Sequence, residues 1–192
     1  MGRFALLGAA YVAVAWATVE FIQKRPFPAM LESPTSLHYQ LLFGVVAGAA
    51  YGAVQWALLT WWPRWRAMQT EAIGRSPQLI GSVGLIVLIA VIVGITEEIL
   101  FRAAIQPLIG IVPASILFTL VHLNLGSGED GTKPDIAMAV LSVGVVFGAS
   151  ILLGALFDEF GLAASIAGHI VYDMIVLLAL RNVALRSSVV EV

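Results

Sequence analysis

The chain has no cysteine. Disulfides, thiolate catalysis and cysteine-ligated metal are therefore excluded, and any nucleophile or metal ligand must be an oxygen or an imidazole nitrogen. Charge is also scarce: 11% of the 192 residues are Asp, Glu, Lys or Arg, where a water-soluble domain carries about 25%. Ten basic residues against twelve acidic ones leave a formal charge of −2 and a pI near 5.9. That gives no basic surplus to hold nucleic acid, so nucleic acid is excluded as a partner. Long charged tails, internal repeats, low-complexity tracts and an HExxH pair of histidines are all missing as well.

Apolar residues take up the space. They make 60% of the chain, and mean hydropathy is +0.96. Several apolar stretches reach roughly 20 residues, the length that crosses a ~30 Å hydrocarbon layer at 1.5 Å per residue. The sequence thus predicts an all-α, polytopic membrane bundle, a single integral membrane domain over residues 1–192. Six spans are expected, near 4–22, 40–61, 78–105, 111–125, 135–157 and 161–180. The breaks between them are polar or carry Pro and Gly: Lys24 to Pro28, Pro63 to Arg66, Arg75 to Pro77, Pro107 to Pro113, Gly126 to Pro134 and Asp158 to Gly161. Arg3, the apolar stretch 4–14 and Ala15-Trp16-Ala17 have the layout of a signal peptide. The apolar run continues to Ile22, interrupted only by Glu20, which fits an uncleaved first span better; cleavage would leave five.

Alternating the loops between two sides puts Arg3, Arg64, Arg66, Arg75, Lys133, Arg181 and Arg186 together, against Lys24, Arg25 and Arg102. The positive-inside rule then predicts both termini in the cytoplasm. The small size without added domains favours a prokaryotic plasma membrane. Trp56, Trp61, Trp62 and Trp65 cluster at the cytoplasmic end of the second span and read as interface anchors. Gly44, Gly48 and Gly52, and again Gly144 and Gly148, recur every four residues. Such spacing marks seams of close helix approach, within the chain or between copies, so the oligomeric state stays open.

Seven ionisable side chains fall inside apolar spans: Glu20, Glu97, Glu98, Arg102, His122, His169 and Asp173. A charge at the bilayer centre costs about 2.5–3.5 kcal/mol on insertion scales, so such residues mark a site or an ion path. Glu20 lies near a span end and reads as interfacial. His38, in the loop after Pro34, reads as solvated. Glu98 and Arg102 are spaced i, i+4 and pair on one helix face, while Glu97 points about 100° away and stays available. His122 follows Phe118 by four residues, and His169 and Asp173 repeat that spacing. Three ionised carboxylates against one guanidinium leave the cluster at −2, which calls for protonation or for a divalent cation. Two histidines and a glutamate are a ligand set of catalytic zinc sites. The same residues could instead be interhelical glue, although two histidines and three carboxylates exceed what glue requires.

These positions carry a resemblance. Glu97-Glu98-Ile99-Leu100-Phe101-Arg102 matches EExxxR, Phe118 to His122 matches FxxxH, and His169 to Asp173 matches HxxxN/D. These are the three ordered motifs of the CPBP family, the CAAX proteases and bacteriocin-processing enzymes also called Abi proteins, which the chain resembles over about 78–180. The resemblance implies an intramembrane endopeptidase with its site inside a helical bundle. Glu97 and His122 would hold and deprotonate the attacking water, and His169 with Asp173 would face the substrate carbonyl. Glu98 would be a second ligand or base, with Arg102 its ionic partner. Many relatives have asparagine at the place of Asp173; an ionised carboxylate cannot donate to an oxyanion, so Asp173 would orient His169, ligate a metal or donate while protonated. Zn2+ or another divalent cation on Glu97, His122 and His169 is one implied mechanism, and a metal-free water on Glu97 and His122 the other. A serine mechanism through Ser165, one turn before His169, or Ser115, seven residues before His122, needs a hydroxyl open to substrate.

The expected partner is a membrane-associated protein or peptide within the lipid bilayer. Prenylated CAAX proteins, bacteriocin precursors and leader peptides are all compatible with it. The loop from Gly126 to Pro134 is the expected access lip. Two other classes compete: a transporter relaying protons or ions through Glu97, Glu98, His122 and Asp173, and a non-catalytic scaffold or bacteriocin-immunity factor. Six spans without a visible two-half repeat disfavour the first, and retention of every motif residue disfavours the second.

Overall fold

A computed structural model describes residues 2–74, 81–122 and 136–190, all of them helical or in short connections, with no strand among them. Arg75, Lys133 and the expected lip from Gly126 to Pro134 lie outside the described residues, as do the side chains of Arg3 and Arg186.

Helix α1 (Gly2–Ala17) runs on as a wide π-helical turn (Thr18–Ile22). A 3-10 turn (Phe27–Leu31) leads to α2 (Leu37–Trp61) and α3 (Pro63–Gly74). Helix α4 (Val83–Glu98), capped by the Ser82 hydroxyl accepting from the Leu85 N–H at 3.2 Å, continues into a second π-helical segment (Ile99–Ile105) and then α5 (Gln106–Ile109). The chain ends with α6 (Ile111–His122), α7 (Ile136–Phe160) and α8 (Leu162–Val190). Gly161 alone joins α7 to α8. Its φ of 104° is open to glycine at little cost, and its N–H returns to the Phe157 carbonyl at 2.9 Å, the usual way a helix is closed.

Among the described residues, five helices are long and apolar enough to cross a membrane: Ala5–Ile22, Leu37–Trp61, Val83–Ile109, Ile136–Phe160 and Leu162–Leu185. The expected fourth span falls on α6, of which 12 residues are described, and its continuation beyond His122 lies outside the described residues. It reverses the chain between α4 and α7. Positions 44, 48 and 52 of α2 meet Ala164, Gly168 and Ile175 in turn, so α2 and α8 are parallel. Gly8 meets Ile92 and Thr96, and Tyr11 packs on Phe101, so α1 and α4 are parallel too. Gly94 meets Ile170 while Glu98 reaches back to Ser165, which makes α4 and α8 antiparallel. The start of α1 and the end of α8 therefore lie at one end of the bundle.

The packing is inverted relative to a water-soluble protein. The buried face of α2 consists of Gln40, Gly44, Gly48, Gly52, Gln55 and Leu59, while Leu42, Phe43, Val46, Val54 and Trp56 point outward. Lipid tails solvate Leu and Phe as well as a core does, so helices associate through small residues and hydrogen bonds instead. The glycine seam of α2 is thus an intrachain seam against α8. On α7, Gly148 meets the Tyr51 hydroxyl and Gly144 meets nothing. The first helix is part of this packing, with Ala15 and Val19 in one cluster with Ile99, Leu100, Phe101 and Phe118.

One expected interface anchor is placed differently. Trp56, Trp61 and Trp62 are exposed, but Trp65 is 1% exposed and packs on Leu59, Ala179 and Leu180. The cause is α3: Arg66 donates to the carbonyls of Leu59 and Thr60 at 2.8 and 2.7 Å, tying α3 to the end of α2 and turning Trp65 inward.

A side chain at 48 would collide with the Gly168 backbone carbonyl, whereas one at 144 meets open space. Gly48→Val is expected to destabilise the bundle by about 1–3 kcal/mol and Gly144→Ala to leave it unchanged, as read by thermal denaturation in detergent micelles.

Candidate active site

Glu97 and Glu98 end α4 just where regular α pairing gives way to the π-helical segment. There the Gln106 N–H bonds the Phe101 carbonyl five residues back. A single widened turn of this kind often marks a functional position in a helix. Here it brings Glu98, Arg102 and the run between them fully inside the bundle.

Glu98 is the hub. Arg102 Nε donates to its Oε2 at 3.0 Å, the Ser165 hydroxyl donates to the same oxygen, and His169 Nδ1 lies 2.8 Å from Oε1. Arg102 spends its remaining donors on Ser150 Oγ at 2.9 Å and Gln106 Oε1 at 3.3 Å, and its guanidinium lies 5.4 Å from the centre of the Phe118 ring. Gln106 in turn donates to the Gly154 carbonyl at 3.0 Å and to Asp158 at 2.7 Å. One buried cation and one buried anion thus cancel, and each nitrogen of the guanidinium and both oxygens of the carboxylate have a partner, which is the condition under which buried charge is tolerated.

Glu97 is its opposite. Its Oε2 is buried and makes no hydrogen bond, although His122 Nε2 stands 3.3 Å away and His169 Nε2 4.0 Å away. The bonding of the two rings fixes what those nitrogens carry. His122 Nδ1 lies 2.7 Å from the Phe118 carbonyl, which can only accept, so Nδ1 holds the proton. His169 Nδ1 faces a carboxylate already neutralised by Arg102, so it also donates. In the neutral rings both Nε2 atoms are acceptors, turned toward a carboxylate oxygen that makes no hydrogen bond; a proton on either ring would make the contact an ion pair. Asp173 Oδ2 closes the group, 3.6 Å from His169 Nε2. Acceptors that face one another in this way require a proton-bearing guest, such as a water, or a positive charge.

Aromatic rings wall one side. Phe118 stacks on His122 at 4.2 Å between centroids and meets His169 at 6.0 Å; Phe101 packs edge-on to Phe118 at 5.0 Å, and Tyr11 continues the series.

The three motifs thus meet at one place, with Glu97, Glu98, Arg102, His122, His169 and Asp173 all part of it. Glu20 and His38 are elsewhere: Glu20 accepts the Phe27 N–H at 2.7 Å, and His38 is exposed beside Ser36. Ser165 is wholly buried with its hydroxyl given to Glu98, which leaves no open nucleophile there. Ser115 is also wholly buried, and its hydroxyl has no partner. Gln106, one turn beyond Arg102, and Ser150 were not expected. The i, i+4 stripe Glu98, Arg102, Gln106 could have found the first; no sequence signal points to the second.

For a divalent cation the atoms to consider are Glu97 Oε2 and the two Nε2 nitrogens. The first two have a spacing close to that of neighbouring ligands, but His169 stands off by 4.0 Å, and no three His, Asp or Glu side chains among the described residues are gathered as a metal site requires. No step is routed through a metal below.

No curated protein and no solved structure matches the chain. Residues 79–175 match the family described as type II CAAX prenyl endopeptidase Rce1-like, a stretch that holds all three motifs and just over half of the 192 residues. An integral membrane bundle with five long apolar helices among its described residues, and with those motifs brought together between its helices, the chain belongs to the Rce1-like family of type II CAAX prenyl endopeptidases.

Proposed function

We propose that the protein is an intramembrane endopeptidase that hydrolyses a peptide bond of a membrane-associated protein or peptide, using a water held between Glu97 and His122. The observation that carries this reading is Glu97 Oε2, a buried carboxylate oxygen with no hydrogen-bond partner and two imidazole nitrogens turned toward it. A structural glue would pair that oxygen, as it pairs both oxygens of Glu98.

Glu97 takes a proton from the water as its oxygen attacks the peptide carbonyl. His122, its Nδ1 held by the Phe118 carbonyl, presents Nε2 to the same water and fixes its orientation. His169 faces the carbonyl. Glu98 stands behind its Nδ1 as an anion, so the reactive form carries His169 as an imidazolium that took its second proton from solvent before substrate binds, and its Nε2–H would donate to the developing oxyanion without leaving the ring. The proton on Glu97 then passes to the leaving amine, and the products are a new carboxylate and a new amine. Asp173, beside Nε2, holds the ring on its other edge. Glu98 and Arg102 act through His169 and are positioning residues. Both chain ends are proposed to face the cytoplasm, and the proposed substrates are prenylated CAAX proteins or other membrane-anchored peptides.

The test compares protein termini in membranes from cells carrying wild type and cells carrying Glu97→Gln at matched expression. New termini should appear only with wild type, and the purified variant should lose about 10²–10⁴-fold in rate with its thermal transition kept. Equal termini in the two membranes would overturn the reading. Two further outcomes separate mechanisms. Activity should survive a chelator, since the described donors do not assemble a three-ligand site; loss on chelation with recovery on adding zinc would place a cation on Glu97. Ser165→Ala should lower the rate by roughly 10–100-fold, the worth of one hydrogen bond to a charged group, and wild type should resist labelling by a fluorophosphonate. Complete loss together with labelling would restore the serine alternative.

A further inference from the structure

The π-helical segment that carries Arg102 poses a hydrogen-bonding problem. In regular α pairing the Ala103 carbonyl would take the N–H of residue 107, but residue 107 is proline and has none. The change from five-residue pairing back to four-residue pairing falls at the same place. Ala103 and Ala104 are 3% and 0% exposed, so carbonyls left without a helical partner there need one from within the fold.

The partner comes from the first helix. Gln23 Nε2 donates to the Ala103 carbonyl at 2.9 Å and to the Ala104 carbonyl at 2.8 Å, so both amide hydrogens serve the segment. Gln23 is itself held by a tight turn. Its N–H bonds the Thr18 carbonyl at 3.0 Å, the Arg25 N–H bonds Val19 at 3.1 Å, Lys24 adopts a φ of 54°, and Glu20 accepts the Phe27 N–H. Directly beneath, Ala15 and Val19 pack on Ile99, Phe101, Ala103 and Ala104. The end of the first helix is thus a bracket closed on the π-helical segment.

We infer that Gln23 is a positioning residue of the candidate site, holding through Ala103 and Ala104 the π-helical segment that sets Glu97, Glu98 and Arg102 against Ser165 and His169. It lies outside the family-matched residues 79–175. The inference rests on the endopeptidase reading for its kinetic consequence only.

Two variants of the full chain separate donors from bulk. Gln23→Met keeps the volume and removes both donors, and Gln23→Lys keeps donors on a similar stem. With a fluorogenic farnesylated CAAX peptide as probe, Gln23→Met should lose about tenfold or more in kcat, the scale of one or two hydrogen bonds, with KM within about twofold. Gln23→Lys should recover most of it. Nitrogen NMR of the imidazoles gives a second readout: the His169 Nδ1–H resonance, which reports the bond to Glu98, should move in Gln23→Met and return in Gln23→Lys. Wild-type kcat and an unmoved His169 signal in folded Gln23→Met would overturn the inference, as would equal losses in the two variants. The NMR arm needs no turnover. It decides the inference even where wild type leaves the peptide uncut, an outcome that counts against the endopeptidase reading instead.

Discussion

A carboxylate and a guanidinium taken entirely out of water, Glu98 and Arg102, are the constraint to which the rest of the bundle answers. Neither is exposed at all, and an ion pair buried to that extent is tolerated only when its remaining donors and acceptors are also used. That requirement accounts for Ser165 and His169 on α8, Ser150 on α7 and Gln106 on α5, each of which bonds one of the two. Three helices, Val83–Ile109, α7 and α8, are thereby drawn to one point by hydrogen bonds, in a setting where burying Leu and Phe gives no drive to association. The glycines of α2 then permit α8 to come close enough, with Gly48 against the Gly168 backbone. A fully satisfied polar network rigidifies its surroundings. Glu97, the next residue along, inherits that rigidity without sharing the bonds.

The contrast between these adjacent glutamates is the chemical core of the arrangement. Glu98 is saturated and anionic by pairing, so its influence is felt through the ring it holds. Glu97 is unsaturated, with its oxygen facing two imidazoles whose other nitrogens are already committed. Leaving a buried carboxylate oxygen unpaired costs free energy that a merely structural network would avoid by local repacking. Here the neighbours that might repack are fixed, His122 by Phe118 and His169 by Glu98. The arrangement is consequently preorganised to accept a small proton-bearing guest between Glu97 and the two imidazoles.

Much of this was legible in the chain before its fold. The scarcity of charge and the long apolar stretches dictate a membrane bundle, and in that setting each internal carboxylate or imidazole is conspicuous, so the six site residues stand out. The i, i+4 spacing of Glu98 and Arg102 announces their pairing, and the glycine repeat of α2 announces a seam. Other features depend on contacts between distant segments. Nothing local in Ser150 distinguishes it from other serines, and its role exists only because α7 runs parallel to the π-helical segment. Trp65 reads as an interface anchor beside Trp61 and Trp62 until Arg66 folds α3 back onto α2. The directions of the helices likewise show only in which residues face which.

The first helix illustrates how far a site extends past its motifs. Motif residues are few because the reacting atoms are few, and positions that merely hold backbone in place can be supplied by any segment that reaches. The π-helical turn is required to bring Arg102 inward, yet it leaves carbonyls that its own strand of chain, with proline at 107, cannot satisfy. A donor must come from elsewhere, and the amide of Gln23 is the group within reach. The turn that presents it, with Lys24 at positive φ and Glu20 tied to Phe27, is consistent with a segment shaped to deliver one side chain. Helix α1 is therefore bound to the arrangement by the same rule that governs Arg102: a buried polar group must find its partner inside the fold.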